Sequence, residues 1–381
     1  MDFSLTEDQK MLKTMVRDFA TKELEPVAAR IDEIGEYPAE QVRKIADLGL
    51  MGLTIPEKYG GSGKGRVDFC IAVEELSRAS AAAASYFRIS LSLGIVPIIM
   101  HGTEEQKRRF LVPHATGEKM ACFALTEAGA GSDPAALETT AVRRGDGYVL
   151  NGTKLFISIG AEAEIIVVFA TIDKSLRHRG ITAFIVEKGT PGFSVGKNEN
   201  KLGFRGLSAA ELIFEDCSVP QENRLGEEGR GFRIALEALD ESRITVGAEA
   251  VGIAQAALDA SINYAKERQQ FGQRIANFQA IQWMLADMAT QIEAARVLTY
   301  YAAGLQDKGL PFIKESAMAK LFASEVSSFV TNKALQIHGG YGYTKDYPLE
   351  RYLRDAKLTE IYEGTSEMMR MTIARALVGK G

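Results

Sequence analysis

Cysteine is scarce. Cys70, Cys122 and Cys217 are the only three in 381 residues, and they lie far apart. That spacing offers neither a disulfide framework nor a zinc site, and it fits a reducing setting. Charge of one sign is lacking too. Forty-five Lys+Arg stand against 50 Asp+Glu, a net charge of -5, with no long run of either. A whole surface made for nucleic acid or anionic lipid is thereby disfavoured, while a local basic pocket for a phosphorylated ligand stays open. The wholly apolar run in the N-terminal third, Leu93 to Met100, is far too short to span a bilayer and contains Pro97. Met1-Asp2-Phe3-Ser4 carries neither a basic segment nor an apolar core, so a secretion signal is not expected and a cytoplasmic location is. What is present, 46% hydrophobic and 25% charged residues, suits a globular chain of two or three domains.

The period of the apolar residues changes twice along the chain. Residues 1–118 read as helical: Thr6 and Gln9 form a capping-box pattern ahead of Leu12, Met15, Val16 and Phe19 on one face. Pro38, Pro56 and residues 60–63 punctuate the helices. Alanine-rich residues 79–84 lead to an apolar stretch ending near His101, and a fresh helix starts around Thr103. Residues 119–230 turn strand-like. Gly145-Asp146-Gly147 signals a hairpin, Asn151-Gly152 another turn, and residues 165–171, 181–186 and 211–214 continue the runs. A small antiparallel barrel or sandwich is expected there. Residues 231–381 return to the helical period, with long helices over 232–268, 278–307 and 312–337, broken at Gly272 and at Gly309-Leu310-Pro311. The expected class is α+β multidomain: helical bundle, β-domain, four-helix-type bundle.

Four stretches carry chemistry, each with a plain structural alternative. In residues 123–133, small residues let a backbone approach a ligand, with hydroxyls at Thr126 and Ser132; an ordinary loop leaving a strand reads the same. The stretch is neither a Walker loop nor a Rossmann fingerprint. Arg268, four residues before Gly272, can clamp a phosphate with Phe271 stacking on a flat ring, or it can simply favour the negative end of a helix. Residues 336–340 are either a ligand contact or a glycine-terminated helix, and His338 alone reads as structural. Glu363, before Gly364 and a cap at Thr365 or Ser366, is either a placed carboxylate or an acid favoured at a helix N-terminus.

The order of these motifs is more telling than any one of them. Together with Lys201-Leu202-Gly203, Phe214-Glu215-Asp216, Gly342-Tyr343 and Arg354-Asp355-Ala356-Lys357, they make the chain resemble the acyl-CoA dehydrogenase family from its first helix to its last. The resemblance implies non-covalent FAD, conversion of an acyl-CoA thioester to the trans-2-enoyl-CoA, and electron-transfer flavoprotein as partner. Glu363 would be the catalytic base for the α-proton, the β-hydrogen leaving as hydride to flavin N5. In other members the base sits just before an Arg on the long helix. Here that position is Ser242, before Arg243, and a hydroxyl cannot replace a carboxylate. By the same resemblance Ser132, Asp240, Arg243, Tyr362 and Gly364 would meet the substrate. Phe123, Leu125, Thr126, Gly131, Ser132, Phe156, Ser158, Thr365 and Glu367 would hold FAD. Arg268, Phe271, Gln279, Gln336, Gly339 and Gly340 would reach the FAD of a neighbouring subunit, as in a homo-oligomer, mostly a tetramer (dimer of dimers) in this family. Where the family usually has Trp and an amide, this chain has Phe156 and Ile159. No metal site is implied.

Three other functions compete. They are an oxidase, usually a longer chain; an enoyl-CoA reductase using the same site in reverse with electron-transfer flavoprotein; and a non-catalytic CoA-binding protein, which an intact Glu363 disfavours. Residues 85–92 align with the helix lining the acyl tail in relatives. Tyr86 and Phe87 would shorten that cavity if they point inward, or else pack against neighbouring helices. Arg88, among apolar and small residues, either points to solvent or an interface, the favoured reading, or awaits an anion.

Overall fold

The computed structural model describes residues 4–379. Helix α1 (Glu7–Phe19) opens on the expected reciprocal cap. Thr6 Oγ1 accepts from the Gln9 N–H at 3.2 Å, and Gln9 Oε1 accepts from the Thr6 N–H at 3.1 Å. Short helices α2 (Ala28–Ile34) and α3 (Ala39–Asp47) lead to α4 (Arg66–Ile89), then α5 (Val96–His101) and α6 (Glu104–Ala115), the last opened by a second capping box at Thr103. From Phe69 onward α4 is almost entirely interior. Its alanine-rich segment is not continuous helix, because Ser80 (φ -154°, ψ 100°) kinks it. Among the described residues, the helical run from Arg66 to His101 alone has the length and apolar character to cross a bilayer, and its most apolar window is nearly all buried inside the protein. It is the core helix.

Glu75 on α4 pairs with Arg17 of α1 at 2.8 Å, whereas other charges of α4 find partners far along the chain. Arg66 pairs with Glu241, and its backbone N–H, with that of Val67, is capped by Asp307. Glu74 accepts from Arg296 at 2.9 Å, and Arg78 pairs with Asp259 at 2.6 Å.

The middle of the chain forms one eight-stranded sheet. Its strands are β1 (Ala121–Ala124), β2 (Thr140–Arg144), β3 (Gly147–Ser158), β4 (Ile165–Thr171), β5 (Ile181–Glu187), β6 (Phe193–Asn198), β7 (Ala209–Pro220) and β8 (Arg224–Leu225). Their order is β6-β7-β3-β2-β4-β5-β8. The sheet does not close into a barrel among the described residues, since β6 and β8 are its two free ends. Nor is it wholly antiparallel. β1 pairs in parallel with one half of β4, and β2 meets the other end of the same edge at Thr140–Thr171. All seven β4 residues are buried, as a continuous apolar run requires.

The hairpin at Gly145-Asp146-Gly147 is as expected, but Asn151-Gly152 is not a turn. Asn151 lies inside β3, and its side chain bridges a bulge in β7, accepting from the Asp216 N–H at 2.8 Å. Gly152 is needed because a Cβ there would sit 2.5 Å from Thr139 Oγ1. A second bulge between Lys154 and Ile157 puts Phe156 at φ 57° and turns its ring outward.

The last third holds α7 (Gly231–Glu267), a small hairpin of β9 (Gln269–Gln270) and β10 (Gln273–Arg274), then α8 (Gln279–Asp307), α9 (Ile313–His338), α10 (Leu349–Thr359) and α11 (Ser366–Val378). The breaks fall at the expected glycines and proline. Helices α7, α8 and α9 pack through a shared core that includes Ala250, Ala254, Met288, Ile292, Ala323 and Val330. All three cysteines are buried and free.

Candidate active site

Between α10 and α11 the chain makes a tight reversal with Glu363 at φ 55° and Gly364 at φ 102°. A non-glycine residue there is strained and persists only where its surroundings over-determine it. Here both carbonyls are pinned. Arg243 Nε donates to the Glu363 carbonyl at 3.1 Å, and Lys320 Nζ donates to the Gly364 carbonyl at 2.6 Å. Thr365, not Ser366, caps α11 by accepting from the Met368 N–H. Lys320 is wholly buried on α9, and burial lowers it to about 8 while Glu363 pulls the other way. Arg243 is held in turn by Asp240 at 2.5 Å, whose carboxyl burial raises to about 6 against the pull of Arg243.

The Glu363 side chain is 5% exposed. Its Oε1 accepts from Arg88 Nη1 at 2.8 Å, while Oε2 is buried with no partner in the protein. Arg88 therefore points neither to solvent nor to an interface. It is 0% exposed, and the anions it needs lie inside the chain: Glu363, and Glu249 on α7 with Nε–Oε2 at 3.1 Å. The guanidinium lies over the Tyr362 ring at 5.1 Å. Burial opposes its charge, but Glu249 and Glu363 raise it overall. Tyr86 and Phe87 are committed elsewhere. The Tyr86 hydroxyl donates to the Gly206 carbonyl and accepts from the Ser208 N–H, and Phe87 packs edge-on against Phe69 at 5.0 Å.

Two of the expected cofactor stretches are tied together. Thr126 O accepts from the Leu155 N–H at 2.9 Å, and the buried Lys154 ammonium donates to Leu125 O at 3.1 Å and to Glu127 at 2.7 Å. Glu127 in turn accepts the N–H groups of Glu138 and Thr139. This fixes residues 123–132 beside Phe156 and Ser158. Gly129 and Gly131 face open space where a Cβ would meet nothing, Ser132 is exposed, and the Phe156 ring is 62% exposed. A shelf of accessible backbone, a hydroxyl and a flat ring fits the isoalloxazine of FAD. Phe123, at one end of this shelf, packs on a cluster of Leu93, Val96 and Ala238, against which Leu239, the neighbour of Asp240, also packs.

Arg268, Phe271, Gln279, Gln336, Gly339 and Gly340 gather at another place, where α7 ends, α8 begins and α9 ends. Arg268 lies over the Tyr341 ring at 5.5 Å, Phe271 meets Phe278 edge-on, and Phe271 is 92% exposed. No hydrogen bond, ion pair or ring contact among the described residues joins this group to Glu363 or to the shelf. His338 is structural, bonded to Ala334 O and stacked on Tyr264. Glu367 is exposed in the first turn of α11.

The remaining motifs join domains. A Cβ on Gly203 would lie 2.5 Å from the Arg354 backbone, Arg354 donates to Leu202 O at 3.1 Å, and the Phe204 N–H donates to Asp355 at 2.6 Å. Sequence reasoning missed Lys320 and Glu249. The signal for Lys320 was present, as a lysine on the small-residue stripe Ser316, Ala317, Ala323 and Ser324 of a helix.

Models of the N-terminal, middle and C-terminal domains of acyl-CoA dehydrogenases match residues 6–118, 122–217 and 229–378. The chain is 56% identical to the acryloyl-CoA reductase (NADH) of Anaerotignum propionicum, over 99% of this chain and 96% of that one. Its structure superposes on butyryl-CoA dehydrogenase from Megasphaera elsdenii with a TM-score of 0.98 at 47% identity, over 99% of this chain and 100% of the other. A chain solved in work on the electron transferring flavoprotein of Acidaminococcus fermentans gives 0.98 at 52% identity, covering 100% of both. Three domain models in register with the helix–sheet–helix order, and near-complete overlap with these relatives, establish that the chain belongs to the acyl-CoA dehydrogenase family of FAD-dependent oxidoreductases.

Proposed function

We propose that this enzyme interconverts a short acyl-CoA and its trans-2-enoyl-CoA, with Glu363 as the group that takes or returns the α-proton. The observation that carries the reading is the Glu363 turn: a carboxylate withdrawn from water, on a strained backbone that two buried cations pin. The α-C–H of a thioester is a weak acid, so its base must be placed closely and kept dry. FAD, once bound, supplies the acceptor for the β-hydrogen. Leu125, Thr126, Gly131, Ser132, Phe156 and Ser158 would hold its ring system, with Thr365 and Glu367 at the start of α11. Ser132, Asp240, Arg243, Tyr362 and Gly364 would meet the CoA ester.

The group around Arg268, Phe271 and Gln336 would serve the FAD of a second copy of this chain. Its separation from the base within one chain and the near-total exposure of Phe271 support that arrangement. Electron-transfer flavoprotein is the proposed redox partner, in keeping with the Acidaminococcus relative. The acryloyl-CoA reductase relative favours operation in the direction of enoyl reduction, which uses the same residues in reverse. Replacing Glu363 by Gln is the test. FAD should stay bound and turnover should vanish; turnover that persists overturns the assignment. Anaerobic mixing with acyl-CoAs and enoyl-CoAs of three to eight or so carbons, followed by flavin absorbance, reads substrate range and direction.

A further inference from the structure

We propose that Arg88, fixed by Glu249, is a positioning residue that sets where the Glu363 carboxylate rests; the proposal depends on the reading of Glu363 as the α-proton base. A glutamate side chain has three rotatable bonds, and a strained backbone fixes only where the chain begins. Something at the far end must choose the rotamer. The Arg88 guanidinium, planar and with its donors in a fixed fork, does so by donating Nη1 to Glu363 Oε1 at 2.8 Å.

Arg88 is itself wholly buried and ion-paired on its other side. Glu249 faces its Nε at 3.1 Å, and Glu249 is held by Ser85 Oγ at 2.5 Å and by the Tyr362 hydroxyl. Tyr362 directly precedes the base, so the turn and the pair are fastened to each other twice. This division of labour has a chemical purpose. If Glu363 were the sole partner of Arg88, swinging toward a substrate carbon would strand a buried cation. Glu249 remains with Arg88 when Glu363 leaves, so the base can move while its rest stays neutralised. Only Oε1 is engaged at rest, which leaves Oε2 for the proton.

The experiment uses the FAD-loaded enzyme and follows exchange of the α-protons of butyryl-CoA with deuterium oxide by mass spectrometry, beside kcat, KM, FAD content and Tm. Removing Arg88 alone would leave Glu249 unpaired, so the principal variant is Arg88→Met with Glu249→Met, which deletes both charges at similar volume. Exchange and kcat should fall roughly 100-fold, with KM shifted less than about threefold and FAD content unchanged. Arg88→Lys, which keeps the charge without the fork, should recover part of the loss, and it carries the test if the double variant does not fold, by falling roughly tenfold below wild type. Wild-type exchange in either variant, with Glu363→Gln inactive, overturns the role of Arg88. Wild-type exchange in Glu363→Gln overturns the base assignment beneath it and the proposal with it.

Discussion

The surroundings of Glu363 and the group around Phe271 are built on opposite plans. At Glu363 the cations that touch the turn are buried and answered within the same chain: Arg88 by Glu249, Arg243 by Asp240, and Lys320 by a carbonyl. Around Phe271 the conspicuous side chains are rings in the open, with Tyr343 85% and Phe271 92% exposed. Buried, paired charges fix geometry at a cost in desolvation, and they suit a site where an atom must be placed within a fraction of an ångström. Exposed rings offer area without geometry, and they suit a surface that another molecule completes. A single chain thus contains a closed, charge-paired end at Glu363 and an open, ring-rich end at Phe271.

Substitutions can break this contrast. The largest effect is expected for Lys320→Met, which removes the donor to Gly364 O and lets the turn relax. Steady-state assay should give kcat reduced roughly 100-fold with FAD content unchanged; unaltered kcat would mean that the turn holds itself. Gly364→Ala comes next. At φ 102° an alanine is strained, and its Cβ would press on the Met369 methyl at 2.7 Å, so denaturant unfolding should register a loss of about 1–3 kcal/mol.

Phe271→Ala should do the opposite of a core substitution. Unfolding free energy per chain should stay within about 0.5 kcal/mol, while light scattering should report a smaller assembly. A large loss of chain stability with unchanged mass would assign Phe271 to its own chain. The smallest effect concerns Asp240. Its carboxyl has an ordinary value of 3.8 and a folded value of about 6, so the folded protein binds more protons between these limits. Its contribution to stability is therefore fullest below about 4 and is lost as pH rises through about 6. The stability of wild type relative to Asp240→Asn should fall over that interval and level off above it; a difference that rises would reverse the assigned environment.

Local signals in the sequence were reliable where local physics decides. The capping box at Thr6, the helix start at Thr103, the Gly145–Gly147 hairpin and the glycine and proline breaks between long helices all lie where the residue chemistry demands. Errors arose where a distant neighbour decides. Asn151-Gly152 has turn chemistry, yet its glycine serves a close approach to Thr139 and its asparagine a bulge in another strand. β1, β6 and β8 are short or polar and draw their pairing from the sheet. Barrel closure likewise depends on the free ends of the sheet, which no single strand announces. Arg88 is the plainest case, since its counter-charge is 161 residues away on α7. The motif order pointed to Glu363 directly, whereas Lys320 and Glu249, which support its setting, reach it only through the fold.

The charges of α4 also constrain the birth of the protein. Arg66, Glu74, Arg78 and Arg88 lie in the first quarter of the chain, and the partners Glu241, Arg296, Asp259 and Glu249 all follow residue 240. Asp307, which caps the start of α4, comes later still. While a ribosome is still delivering the chain, Glu75 can already meet Arg17, but the start of the central helix lacks Asp307 and these four ions lack their later partners, at a cost in burying them. The electrostatic completion of the N-terminal helices thus belongs to the part of the chain that is made last.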